Sequence, residues 1–108
     1  MKQNMNFLEL EQTTLSHLLV VATKDQVSSE VGEDAVILNL KTGIYHGLDP
    51  VGARIWHLLQ EPRTVNDILN TLLQEYEIEP ERCERELVDL LQKLADAELV
   101  KVSNETTA

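Results

Sequence analysis

The chain has 108 residues, 43% of them apolar, which is enough for one compact core and too little for a second domain. Nineteen acidic residues against nine basic ones leave a net charge of −10, with both halves acidic, which disfavours nucleic acid and anionic membrane, whose binders neutralise phosphate. A lone cysteine, Cys83, excludes an internal disulfide and suits a reducing compartment, so a cytoplasmic location is expected.

Residues 1–15 are polar with scattered apolar positions, and 103–108 lack a large apolar side chain. Both segments are expected to be flexible, leaving one domain over 16–102. The apolar run Leu18–Ala22 is too short to cross a bilayer and follows Glu9 and Glu11 instead of a basic stretch, so neither an anchor nor a signal peptide is expected. From about Gln26 the pattern alternates as strands do: Val27, Ser29 and Val31, a turn at Gly32-Glu-Asp34, then Val36, Leu38 and Leu40. Lys41-Thr-Gly43 supplies a hairpin loop with glycine at a left-handed position, and Ile44–Leu48 follows as a third strand at a sheet edge.

Asp49-Pro50 predicts a helix start, the aspartate capping free amides and the proline occupying the first turn, where no N–H is needed. Val51, Ile55, Leu58 and Leu59 share a face of that helix, which ends before Pro62. Thr64 and Asp67 open a second helix bearing Ile68, Leu69, Leu72 and Leu73; Pro80 opens a third, with Cys83, Leu87, Leu90, Leu91 and Leu94 on one stripe and its end near Glu98. Leu99–Val102 then reads as an extended tail or short strand. The expected fold is therefore α+β, a winged helix-turn-helix-like arrangement of one three-stranded antiparallel sheet followed by three helices.

No catalytic constellation emerges, and no cofactor is expected. Cys83 lies on an apolar stripe and reads as a small core residue. His17, His46 and His57 are not spaced as metal ligands, and Gly43, Gly47 and Gly52 match no phosphate-binding fingerprint. The carboxylates between Glu75 and Glu86 surround a helix start, where the helix dipole favours them, and read as a solvated face; a docking patch for a basic partner is the alternative. Trp56 reads as a core anchor. What remains is the edge strand Ile44–Leu48, which carries neither the charge nor the proline that usually guards an edge. Chain ends, a loop or a homodimer would cover it on a structural reading. Strand addition, in which an extended peptide is captured by main-chain hydrogen bonds, is the functional one.

The stretches Ala35–Leu59, Thr64–Ile68 and Leu94–Val100 resemble the PqqD-like peptide chaperones, the precursor-recognition domains of ribosomally synthesised and post-translationally modified peptides. The pattern Thr-Gly-x-Tyr-x-x-Leu-Asp-x-x-Gly-x-x-Ile-Trp at Thr42–Trp56 carries the resemblance, which is nearer to the free-standing members of lasso-peptide pathways than to the quinone-cofactor chaperone. It implies a non-catalytic domain that binds the leader segment of a precursor peptide and presents it to a modifying enzyme or leader peptidase. The leader would pair with Ile44, Tyr45, His46, Gly47 and Leu48 in a cleft closed by the third helix. Arg85, Val88, Leu91, Gln92 and Ala95 are the candidates there by helical position. Glu98 stands where the family commonly has glycine, a departure that bears on how the third helix ends.

Three other readings compete. A scaffold or dimerisation module without peptide specificity would use the same edge. A winged-helix DNA-binding regulator would put the acidic start of the third helix, Glu79 to Glu86, against phosphate. An enzyme would need a nucleophile and base that the sequence does not offer.

Overall fold

The computed structural model describes residues 6–7 and 10–104. In chain order the elements are α1 (Gln12–Ser16), β1 (Leu18–Ala22), β2 (Gln26–Val31), β3 (Asp34–Asn39), β4 (Tyr45–Leu48), α2 (Pro50–Leu58), β5 (Arg63–Thr64), α3 (Val65–Glu75), α4 (Pro80–Asp96) and β6 (Val100–Asn104). The class is α+β with antiparallel strands. The strand content is a correction to the sequence reading: the described residues form two three-stranded sheets, ordered β5-β1-β6 and β2-β3-β4, and four helices. Only the second sheet was expected. The run Leu18–Ala22 lies at the centre of the first, with Val20 opposite Arg63 on one side and Val102 on the other.

Of the terminal segments expected to be flexible, 1–5, 8, 9 and 105–108 lie outside the described residues. Their described parts contribute to the fold: Phe7 and Leu15 are buried, and Ser103 pairs with Leu19.

The helix starts form as their sequences dictate. Asp49 Oδ1 accepts the Gly52 N–H at 2.8 Å, and Thr64 Oγ1 accepts that of Asp67 at 3.0 Å. An ideal Cβ on Gly52 would lie 3.2 Å from Asp49 Oδ1 and 3.4 Å from Leu48 Cβ, so glycine lets α2 leave β4 at close range. At the far end of α4 the N–H of Glu98 reaches the Ala95 carbonyl and that of Leu99 reaches Leu94, with Glu98 at φ 59°. This paired-bond terminus usually has glycine at the left-handed position, so the helix closes in the ordinary way on an unusual residue.

The core joins both sheets and the long helices. Val20 from β1, Ile37 from β3, Ile68 and Leu72 from α3, and Leu87 and Leu91 from α4 are all buried. Trp56 is a core residue, as its sequence context suggests, although its indole N–H has no acceptor among the described residues. Arg54 on α2 and Glu75 on α3 form a two-pronged ion pair, Nε to Oε1 at 2.8 Å and Nη2 to Oε2 at 2.7 Å.

Candidate functional site

Among the described residues β4 is an edge, paired with β3 alone. Its register is Leu38 opposite Tyr45, Ile37 opposite His46, Val36 opposite Gly47 and Ala35 opposite Leu48. The Asn39 N–H donates to the Ile44 carbonyl at 3.0 Å, one step further along the same register. Bonded and non-bonded pairs alternate in an antiparallel ladder. His46 and Leu48 therefore direct their backbone groups inward to β3, and the N–H and C=O of Tyr45 and Gly47 point outward to the open edge. The Leu40 N–H donating to the Asp25 carbonyl at 3.0 Å puts β3 in the same phase against β2. Ile44, expected as the first strand residue, lies just before β4, its N–H bonded to Thr42 Oγ1 at 3.2 Å. Gly43 is left-handed at φ 74°, as the hairpin requires.

Side chains follow the same alternation, between the two faces of the sheet. Leu48 is buried and His46 half-buried on the face toward the helices, whereas Tyr45 and Gly47 are exposed on the opposite face.

A cleft of about 400 Å³ runs between β4 and α4. Its apolar surface comes from Leu48 and from Val51 and Ile55 of α2, facing Leu90 and Leu94 of α4. Polar groups edge it: His46 on the strand side, and Glu86, Asp89 and Lys93 on the helix side. Glu86 is held by Arg82 at 2.9 Å, one turn earlier.

Of the strand candidates, His46, Gly47 and Leu48 border the cleft and Ile44 and Tyr45 do not; none of the helix candidates does. Leu91 is fully buried and Val88 nearly so. Arg85 and Val88 line a different groove, with Phe7, Leu10 and Leu15. Gln92 is engaged there too: its Oε1 accepts the Phe7 N–H at 2.8 Å and its Nε2 donates to Asp96 at 3.0 Å. Ala95 packs partly buried against the core. The cause is geometric: Leu91 lies on the buried stripe itself, a stripe has two flanks, and the other four residues mark the one opposite the cleft. The N-terminal segment covers that flank. The apolar positions Phe7, Leu10 and Leu15 were the signal that could have identified it.

Other sequence candidates fall outside the cleft. Cys83 is buried, and burial, with the nearby Glu86 charge, pushes its thiol pKa up, so the reactive thiolate is disfavoured. Among the described residues no group of three or more His, Cys, Asp or Glu could hold a metal ion. No helix among them is long and apolar enough to cross a membrane.

The family model for coenzyme PQQ synthesis protein D (PqqD) matches residues 34–100, from the start of β3 to the start of β6. The chain belongs to the PqqD family. Among solved structures, this PqqD-family chain is similar to TbiB1 in complex with the TbiA(beta) leader peptide, at 38% identity and a TM-score of 0.70 over 75% of this chain and 94% of that one. It also shares its fold with lasso peptide synthetase B1 complexed with the leader peptide, at 22% identity and a TM-score of 0.67 over 76% of this chain and 96% of that one. A comparison with curated proteins gives no match. The family match takes in β3, β4, α2, α3 and α4, and therefore every element that borders the cleft.

Proposed function

We propose that this PqqD-family protein captures the leader segment of a ribosomally made precursor peptide as an added antiparallel strand on β4 and presents it to a modifying enzyme or leader peptidase. The observation that carries the reading is the open edge of β4, where the backbone groups of Tyr45 and Gly47 point away from β3 beside an apolar cleft. The 38% identity to TbiB1, solved with a leader peptide, supports it. Peptide residues opposite Tyr45 and Gly47 would exchange main-chain hydrogen bonds with them. The residue opposite His46 would face the cleft, where Leu90 and Leu94 can bury an apolar side chain.

The protein's part is binding without bond making, through a winged-helix-like domain that works in the cytoplasm without a cofactor. Its contribution is local concentration: a flexible precursor tethered near an enzyme reaches effective concentrations in the millimolar range, about 1 mM. Glu86 and Asp89 at the cleft edge favour a leader carrying a basic residue. The strand candidates Ile44–Leu48 stay in the proposed site, and Glu86, Asp89, Leu90, Lys93 and Leu94 form the helix wall.

The test is a fluorescence-polarisation titration with labelled leaders from short open reading frames neighbouring the gene, against a scrambled control. Saturable micromolar binding that weakens with salt is the expected result, and absence of binding by every neighbouring leader would overturn the reading.

A further inference from the structure

The face of the β2-β3-β4 sheet that points away from the helices is apolar. Its side chains lie in cross-strand rows, Val27–Leu38–Tyr45 and Ser29–Val36–Gly47, with Val31 beyond them on β2 and Leu40 just past β3. Val27, Val31, Leu40 and Tyr45 are 54%, 60%, 56% and 68% exposed. An antiparallel sheet with one solvated face ordinarily carries polar residues there. No charged side chain interrupts the two central rows. Carboxylates stand at the ends instead: Asp34 opposite Val31, with Glu33 in the β2–β3 turn, and at the other end Asp25 beside Leu40, paired with Lys41 at 3.7 Å.

Gly47 is a second anomaly on this face. Its φ is not left-handed, and a Cβ added to it would meet nothing within 4 Å, so neither backbone geometry nor packing within the chain requires glycine. A glycine of this kind in a strand often marks the close approach of another molecule.

Resting on the leader-binding reading, we infer that this outer face is the docking surface for the enzyme that acts on the precursor, through an apolar patch on that enzyme flanked by lysine or arginine. Two observations select this occupant. The carboxylates at the β2–β3 turn and the net charge of −10 complement a basic border and oppose a second copy of the same chain. The face is also continuous with the peptide edge, because Tyr45 and Gly47 supply both its last row positions and the free backbone groups. Peptide residues bonded to those two would project their side chains onto the outer face, so the enzyme would contact bound peptide and protein together.

Size supports coupling. Three strands about 4.8 Å apart and about 19 Å long present a flat area of roughly 270 Å², well under the roughly 800 Å² that each side of a stable complex buries. One added strand enlarges it by about a third. The free protein should therefore hold the enzyme weakly, and the loaded protein more tightly.

The test uses the double variant Val27→Lys/Val31→Lys, whose exposed positions lie on β2, two strands from the peptide edge, with circular dichroism to confirm folding. Leader binding is read by polarisation. Binding of the modifying enzyme or peptidase encoded beside the precursor is read by interferometry with and without leader. For the wild type, leader should tighten enzyme binding at least threefold; in the variant, enzyme binding should fall at least tenfold with leader affinity unchanged. Enzyme binding unaffected by the substitutions, or absent in the wild type, overturns the assignment. So does loss of leader binding in the variant, or a wild-type dimer in sedimentation that the variant dissociates. A wild type that binds no leader removes the proposed function, whereas enzyme binding still dependent on Val27 and Val31 upholds the docking face.

Discussion

The Asn39 side-chain amide donates to the Ala97 carbonyl at 2.8 Å, linking the end of β3 to the end of α4. Its oxygen accepts the N–H groups of Lys41 at 2.9 Å and Thr42 at 3.3 Å. One buried residue thus shapes the loop that leads into β4 and ties it to the helix forming the opposite wall of the cleft. Asn39→Ala should cost about 1–2 kcal/mol, because it leaves the part-buried Ala97 carbonyl and two loop amides without their partner. Urea denaturation measures this; a loss below about 0.5 kcal/mol would show that the link is dispensable.

The phase of the ladder makes proline substitutions along β4 discriminating. Proline at Tyr45 or Gly47 removes an outward N–H, which an edge strand tolerates. Leader binding should fall at least tenfold in either variant while the folded state persists. Proline at His46 removes an inward N–H bonded to β3 and should lower stability as well. Equal loss of binding and stability at all three positions would contradict this alternation.

Glu98 holds a left-handed conformation at φ 59°, which costs a side-chain-bearing residue about 1–2 kcal/mol. Glu98→Gly should raise stability by about 0.5–1 kcal/mol after the extra chain entropy of glycine is deducted. Glu98→Ala should give no such gain, which separates the backbone effect from the loss of charge. A shift in denaturation midpoint reads both.

The Arg54 hydrogen bond holds the Glu75 carboxyl below its ordinary pKa of 4.5. A carboxylate with a lowered folded-state pKa contributes stability that is present above the unfolded value and is lost as pH falls through the folded one. Both side chains are about one-third exposed, so the pair is worth at most about 1 kcal/mol. Glu75→Gln should destabilise by up to that amount at pH 7, with the difference closing below pH 4.

Much of the site was legible because its signals are local. Alternation gave β2, β3 and β4, and Asp49, Thr64 and the prolines gave the starts of the last three helices. The elements that escaped lack a local signature. Leu18–Ala22 is continuously apolar because β1 sits between two strands; α1 is little more than one turn, and β5 has two residues. The rotation of α4 is a tertiary property. Its apolar stripe is visible in sequence, but which flank meets β4 depends on how the helix crosses the sheet and on where Phe7 and Leu15 settle.

The small sheet that places Val20 opposite Val102 joins residues far apart in the sequence. Such a pairing waits for nearly the whole polypeptide, and closing a loop of that length is a late, entropically costly step. During synthesis, among the described residues, β1 has the two residues of β5 to pair with until β6 leaves the ribosome. Maturation of the core therefore waits for synthesis of β6, and a chain halted before Val100 would carry a recognisable β4 edge on a body whose first sheet is unfinished.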